Sequence, residues 1–294
     1  MAIDFGTDDA LEEIAEHVRD RRCVLFLGAA VHAGPPVGSL YRYESAQRPA
    51  MAHELTARLA RRCERDRNFD PRRDTGLQRI ALYYELGRSR NQLIEEIYDA
   101  VERDKQPSPI LRALAELDFP VVLTTNYDDL YEQALRAVGK DPLVFVYSRG
   151  ESPRVTQQEL LSDRPVVFKL HGDIAHRESI VITEDDYIDF VRQMTAKREE
   201  HPIPLALMSL LKQWTTLFLG YSMADYNLRV LFRLLHWKTD EAWYPLMYSV
   251  DLSPDVLTKE VWESRRRYLR FVVEDVWKFV PDLYHEVRRE VLEP

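Results

Sequence analysis

The sequence predicts an α/β fold in which a doubly wound parallel sheet carries a helical insertion. Three observations lead there. Short, unbroken apolar runs recur along the chain, helical patterns separate them, and one segment holds helical patterns without any convincing strand. The chain has 294 residues, 45% of them hydrophobic, enough to bury a sizeable core. One elaborated domain over residues 1–294 is expected.

Leu11, Ile14, Ala15 and Val18 recur at helical spacing among charged residues, which makes an amphipathic opening helix. Cys23–Leu27 is a continuous apolar run ending at Gly28, as suits a strand covered on both faces. Similar runs are Val121–Thr125 after Pro120, Val166–Leu170 after Pro165, and Thr216–Leu219 before Gly220, with Leu246–Val250 a fifth candidate. Helical patterns cover Asp129–Val138, Ile203–Trp214 and Asp225–Trp237. Strands alternating with helices form parallel sheets whose ligand crevice lies beyond the carboxyl ends of the strands. From about residue 50 to 117 the patterns are helical throughout: His53–Cys63, Gly76–Leu86, Asn91–Val101 and Pro109–Leu117. This stretch reads as an insertion or small lobe. Linkers are short, and Ser148–Pro153 is the most loop-like.

A formal net charge of -9 makes nucleic acid a poor default partner for this chain alone. Cys23 and Cys63 form neither a disulfide framework nor a paired zinc pattern, so no metal is expected. The first residues have no basic start followed by an apolar run, and the most apolar stretch, Ile203–Tyr221, is interrupted by Lys212 and Gln213. The expectation is a soluble, cytoplasmic protein without a signal peptide or membrane span.

The candidate chemistry sits at the strand ends. Gly28, Ala29 and Ala30 form a small-residue turn that suits a pyrophosphate at a helix start, or serves simply as a structural turn. Asn126, within Thr124-Thr125-Asn126-Tyr127-Asp128, both donates and accepts, which suits a ribose hydroxyl and an attacking water; its bland reading is a turn residue or helix cap. His171, beside Gly172, is a proton acceptor near neutral pH, although a lone histidine is more often structural. Gly220 and Ser222 open the turn after the fourth run, where a nucleotide contact and a plain glycine turn with a Ser222 or Asp225 cap weigh equally.

Together, Gly28-Ala29-Ala30, Thr125-Asn126-Tyr127-Asp128, His171-Gly172 and Gly220-Tyr221-Ser222 resemble the NAD-binding motifs of the sirtuin family, over about residues 20 to 250. The likeness is strongest to the sirtuin-like domains of bacterial antiphage defence, which also show a stretch like Ile180–Tyr187. The resemblance implies a Rossmann-like fold and NAD hydrolysis without metal. It makes Asn126 and His171 the catalytic pair, Asp128 the acid near the nicotinamide pocket, and Gly28, Ala29, Ala30, Gly220 and Ser222 nucleotide contacts. The family's phosphate loop usually reads Gly-Ala-Gly, a small residue, then Ser, whereas here Ala30 and His32 stand at two of those positions. A methyl at Ala30 would crowd a pyrophosphate or require a changed backbone angle. The four-cysteine zinc module usual in deacylases is missing after His171-Gly172.

The leading reading is therefore an NAD glycohydrolase of antiphage defence. The alternatives are a non-catalytic NAD or ADP-ribose sensor, an ADP-ribosyl or acyl-group transferase, and a structural subunit of a defence complex. The resemblance also implies a homo-oligomer or a HerA-type ATPase partner. Aromatic residues toward the C-terminus, Trp262, Tyr268, Phe271, Trp277, Phe279 and Tyr284, offer an interface or core packing. The arginines between Arg58 and Arg73 read as a solvated helical face rather than an anion site.

Overall fold

The computed structural model describes residues 7–64, 69–70, 75–147, 153–195, 203–223, 245–263 and 269–293. The expected helix at 225–237, most of the loop at 148–153, and Arg65, Arg67, Arg72, Arg73 and Tyr268 lie outside these.

Seven parallel strands form one sheet: β1 (Cys23–Leu27), β2 (Val121–Thr124), β3 (Leu143–Val146), β4 (Val166–Lys169), β5 (Thr215–Leu219), β6 (Met247–Val250) and β7 (Leu269–Val272). Their order is β3-β4-β2-β1-β5-β6-β7, so the chain reverses its direction of travel across the sheet at β1. Both edge strands, β3 and β7, are additions to the five expected from sequence.

Both faces of the sheet are covered, which explains the unbroken apolar runs. Cys23, Leu25 and Leu27 join Val122, Leu217, Leu219, Tyr248 and Val250 in one core layer. That layer is closed by α1 (Thr7–Arg19), α5 (Pro109–Glu116), α6 (Leu130–Ala137) and α11 (Val276–Arg288). Val24 and Phe26 point the other way, with Val121, Leu123, Phe168 and Phe218. There they meet α7 (Gln157–Leu160), α8 (Glu184–Met194), α9 (Leu205–Leu211) and Trp262 of α10 (Val256–Glu263). Trp277, Phe279 and Tyr284 are buried in the first layer and Trp262 in the second, so these aromatics fill the core and lend no support to an interface.

The described elements between β1 and β2 that follow residue 50 are the helices α2 (Ala52–Cys63), α3 (Leu77–Gly87) and α4 (Arg90–Val101), then α5. Helices α2 to α4 share their own core of Leu55, Leu59, Ile80, Leu93 and Ile97, completed by Ile174, Ile180 and Ile182 from beyond β4. Ser89 caps α4 by accepting the Gln92 N–H, and Ser108 caps α5 by accepting that of Leu111. Cys23 and Cys63 are both buried, in different cores. Among the described residues no helix is long and apolar enough to cross a membrane.

Candidate functional site

Strand register brings the motif loops to one level. Leu27 pairs with Thr124 on one side and Leu219 on the other, and Thr124 pairs with Lys169. Ala29, Asn126, His171 and Tyr221 therefore each stand two residues past the paired ends of four adjacent strands. Neighbouring strands lie about 4.8 Å apart, which sets Asn126 and His171 side by side. The other sequence-predicted residues, Gly28, Ala30, Asp128, Gly220 and Ser222, occupy the same edge.

The loops after β1 and β5 interlock. The Gly28 N–H donates to the Leu219 carbonyl at 2.9 Å, and the Ala30 N–H to the Gly220 carbonyl at 3.1 Å. Gly220 has φ +76°, and a Cβ at Gly28 would lie 2.4 Å from the Gly220 oxygen. Small residues are thus required here by the contact of one loop with the other. Ala30 has no positive φ, so its methyl imposes no unusual backbone angle. Its N–H is nevertheless already occupied, as is that of Val31, which donates to the Gly28 carbonyl at 3.2 Å. The Tyr221 ring meets Phe26 edge-on at 5.1 Å and crosses close over Gly28. Its hydroxyl accepts the Thr125 N–H at 3.1 Å and pairs with the Thr125 hydroxyl at 2.8 Å, spanning from β5 to β2. Ser222 is exposed just beyond.

The loops after β2 and β4 form a second stitched unit. The Ile174 N–H donates to the Tyr127 carbonyl, the Val181 N–H to the His171 carbonyl, and the Tyr127 hydroxyl to the Val181 carbonyl, each at 2.9 Å. Beneath them the Lys169 ammonium, fully buried, donates to the Asp128 carbonyl at 2.6 Å and to the Asp173 carboxylate at 2.6 Å. The Glu132 carboxylate lies 3.3 Å away. Burial works against the charged ammonium, but these carboxylates hold its pKa above the ordinary lysine value. Burial pushes Glu132 up to about 7 in spite of Lys169. Asn126 is not a helix cap: its N–H donates to the Thr124 hydroxyl at 3.0 Å, and α6 begins only at Leu130.

His171 is half-buried between the rings of Tyr187 and Phe190, both edge-on, and its Nε2 lies 3.4 Å from the Tyr187 hydroxyl. Desolvation lowers its pKa to about 4, so it is a neutral imidazole able to accept a proton at pH 7. Tyr187 is aimed by the acidic stretch before it. Thr183 caps α8 by accepting the Asp186 N–H, and Asp186 accepts from Ile182 and Thr183 and pairs with Arg90 of α4 at 2.8 Å. Although burial would raise the Asp186 pKa, those N–H groups and Arg90 hold it below the carboxylate range. Gly172 has φ +88°, and a Cβ there would fall 2.2 Å from the Ser179 carbonyl, so only glycine passes.

His32 and Tyr221 join the two units. His32 is 2% exposed, with Nε2 3.3 Å from the Asp128 carboxylate and 3.3 Å from the Asn126 amide nitrogen. Burial would raise the Asp128 pKa, but His32, Lys169 and the Leu130 N–H hold it below the ordinary carboxylate value. Asp128 is thus buried and engaged, its carboxylate by His32 and its carbonyl by Lys169. Sequence reading marked His32 only as a departure in the phosphate loop and gave Tyr187, Tyr221 and Lys169 no role. Tyr187 ends the Ile180–Tyr187 stretch and Tyr221 sits inside Gly220-Tyr221-Ser222, so these two lay within motifs visible in the sequence.

A model of the SIR2-like domain family matches residues 120–269, half of the chain. The chain is also similar to the NAD(+) hydrolase ThsA of Acinetobacter baumannii (strain 532279), 27% identical over 272 residues, 92% of this chain and 51% of that protein. The ThsA of Enterococcus faecium is 33% identical over 175 residues, 58% of this chain and 34% of that protein. Defense-associated sirtuin 2 of Bacillus subtilis is 28% identical over 164 residues, 53% of this chain and 15% of that protein. The chain thus spans about half the length of the A. baumannii relative and less of the other two.

Proposed function

The chain belongs to the SIR2-like domain family, and from that premise we propose that it hydrolyses NAD to nicotinamide and ADP-ribose in the cytoplasm, as part of antiphage defence. The observation that carries this reading is the neighbouring placement of Asn126 and a neutral His171 at the carboxyl ends of β2 and β4. The bond from C1′ of the ribose to nicotinamide breaks with its electron pair leaving on nicotinamide, and positive charge develops on the ribose. Water then bonds to C1′ and gives its proton to His171. Asn126 holds the water and a ribose hydroxyl, and no metal takes part. An enclosed, oriented site is what such a step requires.

The names of the ThsA relatives support hydrolysis as the activity, and Defense-associated sirtuin 2 supports the defence setting. The reading includes assembly, as a homo-oligomer or with a HerA-type ATPase, that restrains turnover until it is needed. Leu252, Val256 and Leu257, all strongly exposed on and before α10, favour a partner on that face.

The test is incubation of the purified chain with NAD, following nicotinamide and ADP-ribose by chromatography. Stoichiometric release of both supports hydrolysis, and its absence under all assembly states removes it. A second reading, a sensor that binds NAD or ADP-ribose without cleaving it, is favoured by the Gly28, Ala30 and Val31 N–H groups already being satisfied by backbone. Binding without nicotinamide release selects it.

A further inference from the structure

We propose that His32 is a positioning residue which turns the Asn126 side-chain amide so that its oxygen faces the imidazole and its NH2 group faces the crevice. The inference rests on the reading of Asn126 as a site residue and adds the orientation in which it works.

His32 Nε2 stands 3.3 Å from both the Asp128 carboxylate and the terminal amide of Asn126. An ionised carboxylate only accepts, so the ring nitrogen facing it carries a proton. The Asp128 Oδ1 already accepts the Leu130 N–H at 3.2 Å, which leaves Oδ2 for His32. With a proton on Nε2, an amide NH2 at the same distance would set donor against donor. Amide oxygen and nitrogen have the same shape and are exchanged by a half-turn, so the arrangement that satisfies every group puts Oδ1 toward His32.

The opposite tautomer fails twice. It sets the Nε2 lone pair against the Asp128 carboxylate, and it places an N–H on Nδ1, which is buried and has no hydrogen-bond partner among the described residues. A buried unsatisfied donor is costly, whereas an unsatisfied acceptor is better tolerated.

An outward NH2 donates to a ribose hydroxyl oxygen or to one lone pair of the attacking water, leaving the second lone pair for C1′ and a water proton for His171. His32 thus converts a departure in the phosphate loop into a fixed donor in the neighbouring loop.

The test joins a direct measurement with activity. Nitrogen NMR of the imidazoles in isotope-labelled wild-type chain, with His32 assigned by its loss in His32→Gln, is expected to show a proton on Nε2; a proton on Nδ1 alone overturns the inference. The amide nitrogen then lies behind the oxygen, so the cross-peak between the Asn126 NH2 protons and the His32 Nε2 proton is expected to be weak, and a strong cross-peak overturns the inference. In turnover, His32→Leu should lower kcat about 10²- to 10³-fold, the order of one lost preorganised donor, with KM changed less than kcat. His32→Gln, which keeps a donor at the same reach, should recover most of that loss. Equal loss in both variants, with both folded by circular dichroism and still binding ADP-ribose, overturns the positioning role. A wild-type chain that releases no nicotinamide counts against the hydrolase reading alone, because the tautomer and cross-relaxation measurements still decide this one.

Discussion

Lys169 Nζ lies 2.6 Å from the Asp173 carboxylate, with both side chains buried directly beneath the Asn126 and His171 loops. Removing one partner of a buried ion pair strands the other charge. Lys169→Ala is therefore expected to cost about 3–5 kcal/mol in unfolding free energy, whereas Asp173→Asn should cost less because Glu132 stays near the ammonium. Urea denaturation of the two variants checks the ranking, and equal costs would contradict it.

Asn126→Ala and His171→Ala are each expected to abolish nicotinamide release while retaining the fold. Loss of a general base typically lowers rate about 10²- to 10⁴-fold, so a twofold decrease in a folded His171→Ala variant would remove that residue from the mechanism. Tyr187→Phe removes only the hydroxyl 3.4 Å from His171 Nε2. Its effect should be smaller than that of His171→Ala and confined to kcat.

The pH dependence has a definite sign. His171 drops from an ordinary value of 6.5 to about 4 in the fold, so between those values the unfolded chain binds a proton that the folded chain does not. Its contribution to stability is full above pH 6.5 and declines as the pH falls toward 4. His171→Gln is expected to flatten the stability profile in that window. In the wild type, the acid limb of kcat/KM assigned to His171 should lie near 4 rather than 6.5.

Gly220→Ala places a Cβ 2.6 Å from the Val31 nitrogen at a φ of +76°, and Gly172→Ala one 2.2 Å from the Ser179 carbonyl at +88°. Each should destabilise by more than the roughly 1 kcal/mol of an ordinary glycine replacement, because backbone atoms have to move. Gly139 has φ +79° but open space around it, so Gly139→Ala is the control that isolates the angle from the clash. Thermal unfolding of the three variants separates the two effects.

Central strands were legible in the sequence because burial on both faces leaves an unbroken apolar run, as in Cys23–Leu27 and Val166–Leu170. The edge strands were not: Leu143–Val146 is only half-buried, and Leu269–Val272 contains Arg270. The positions of Asn126 and His171 could be read because both follow strands of the same sheet. The partners of these loops could not, since His32 reaches Asp128 and Asn126 across more than ninety residues of chain. No local pattern encodes that meeting.

The shared core of α2–α4 with Ile174, Ile180 and Ile182 has a consequence for how the molecule opens. Those isoleucines flank the carbonyl and hydroxyl contacts that fix the His171 loop to Tyr127, and Tyr127 itself packs against the same helices. Partial unfolding of the helical lobe therefore loosens the wall of the crevice before the central sheet melts. In hydrogen exchange, the amides of Ile174 and Val181 are expected to open with those of α3 and α4 as one cooperative unit, ahead of those of β1 and β5. On that expectation, a substitution that weakens the α2–α4 core also loosens the His171 loop, with no change at the site itself.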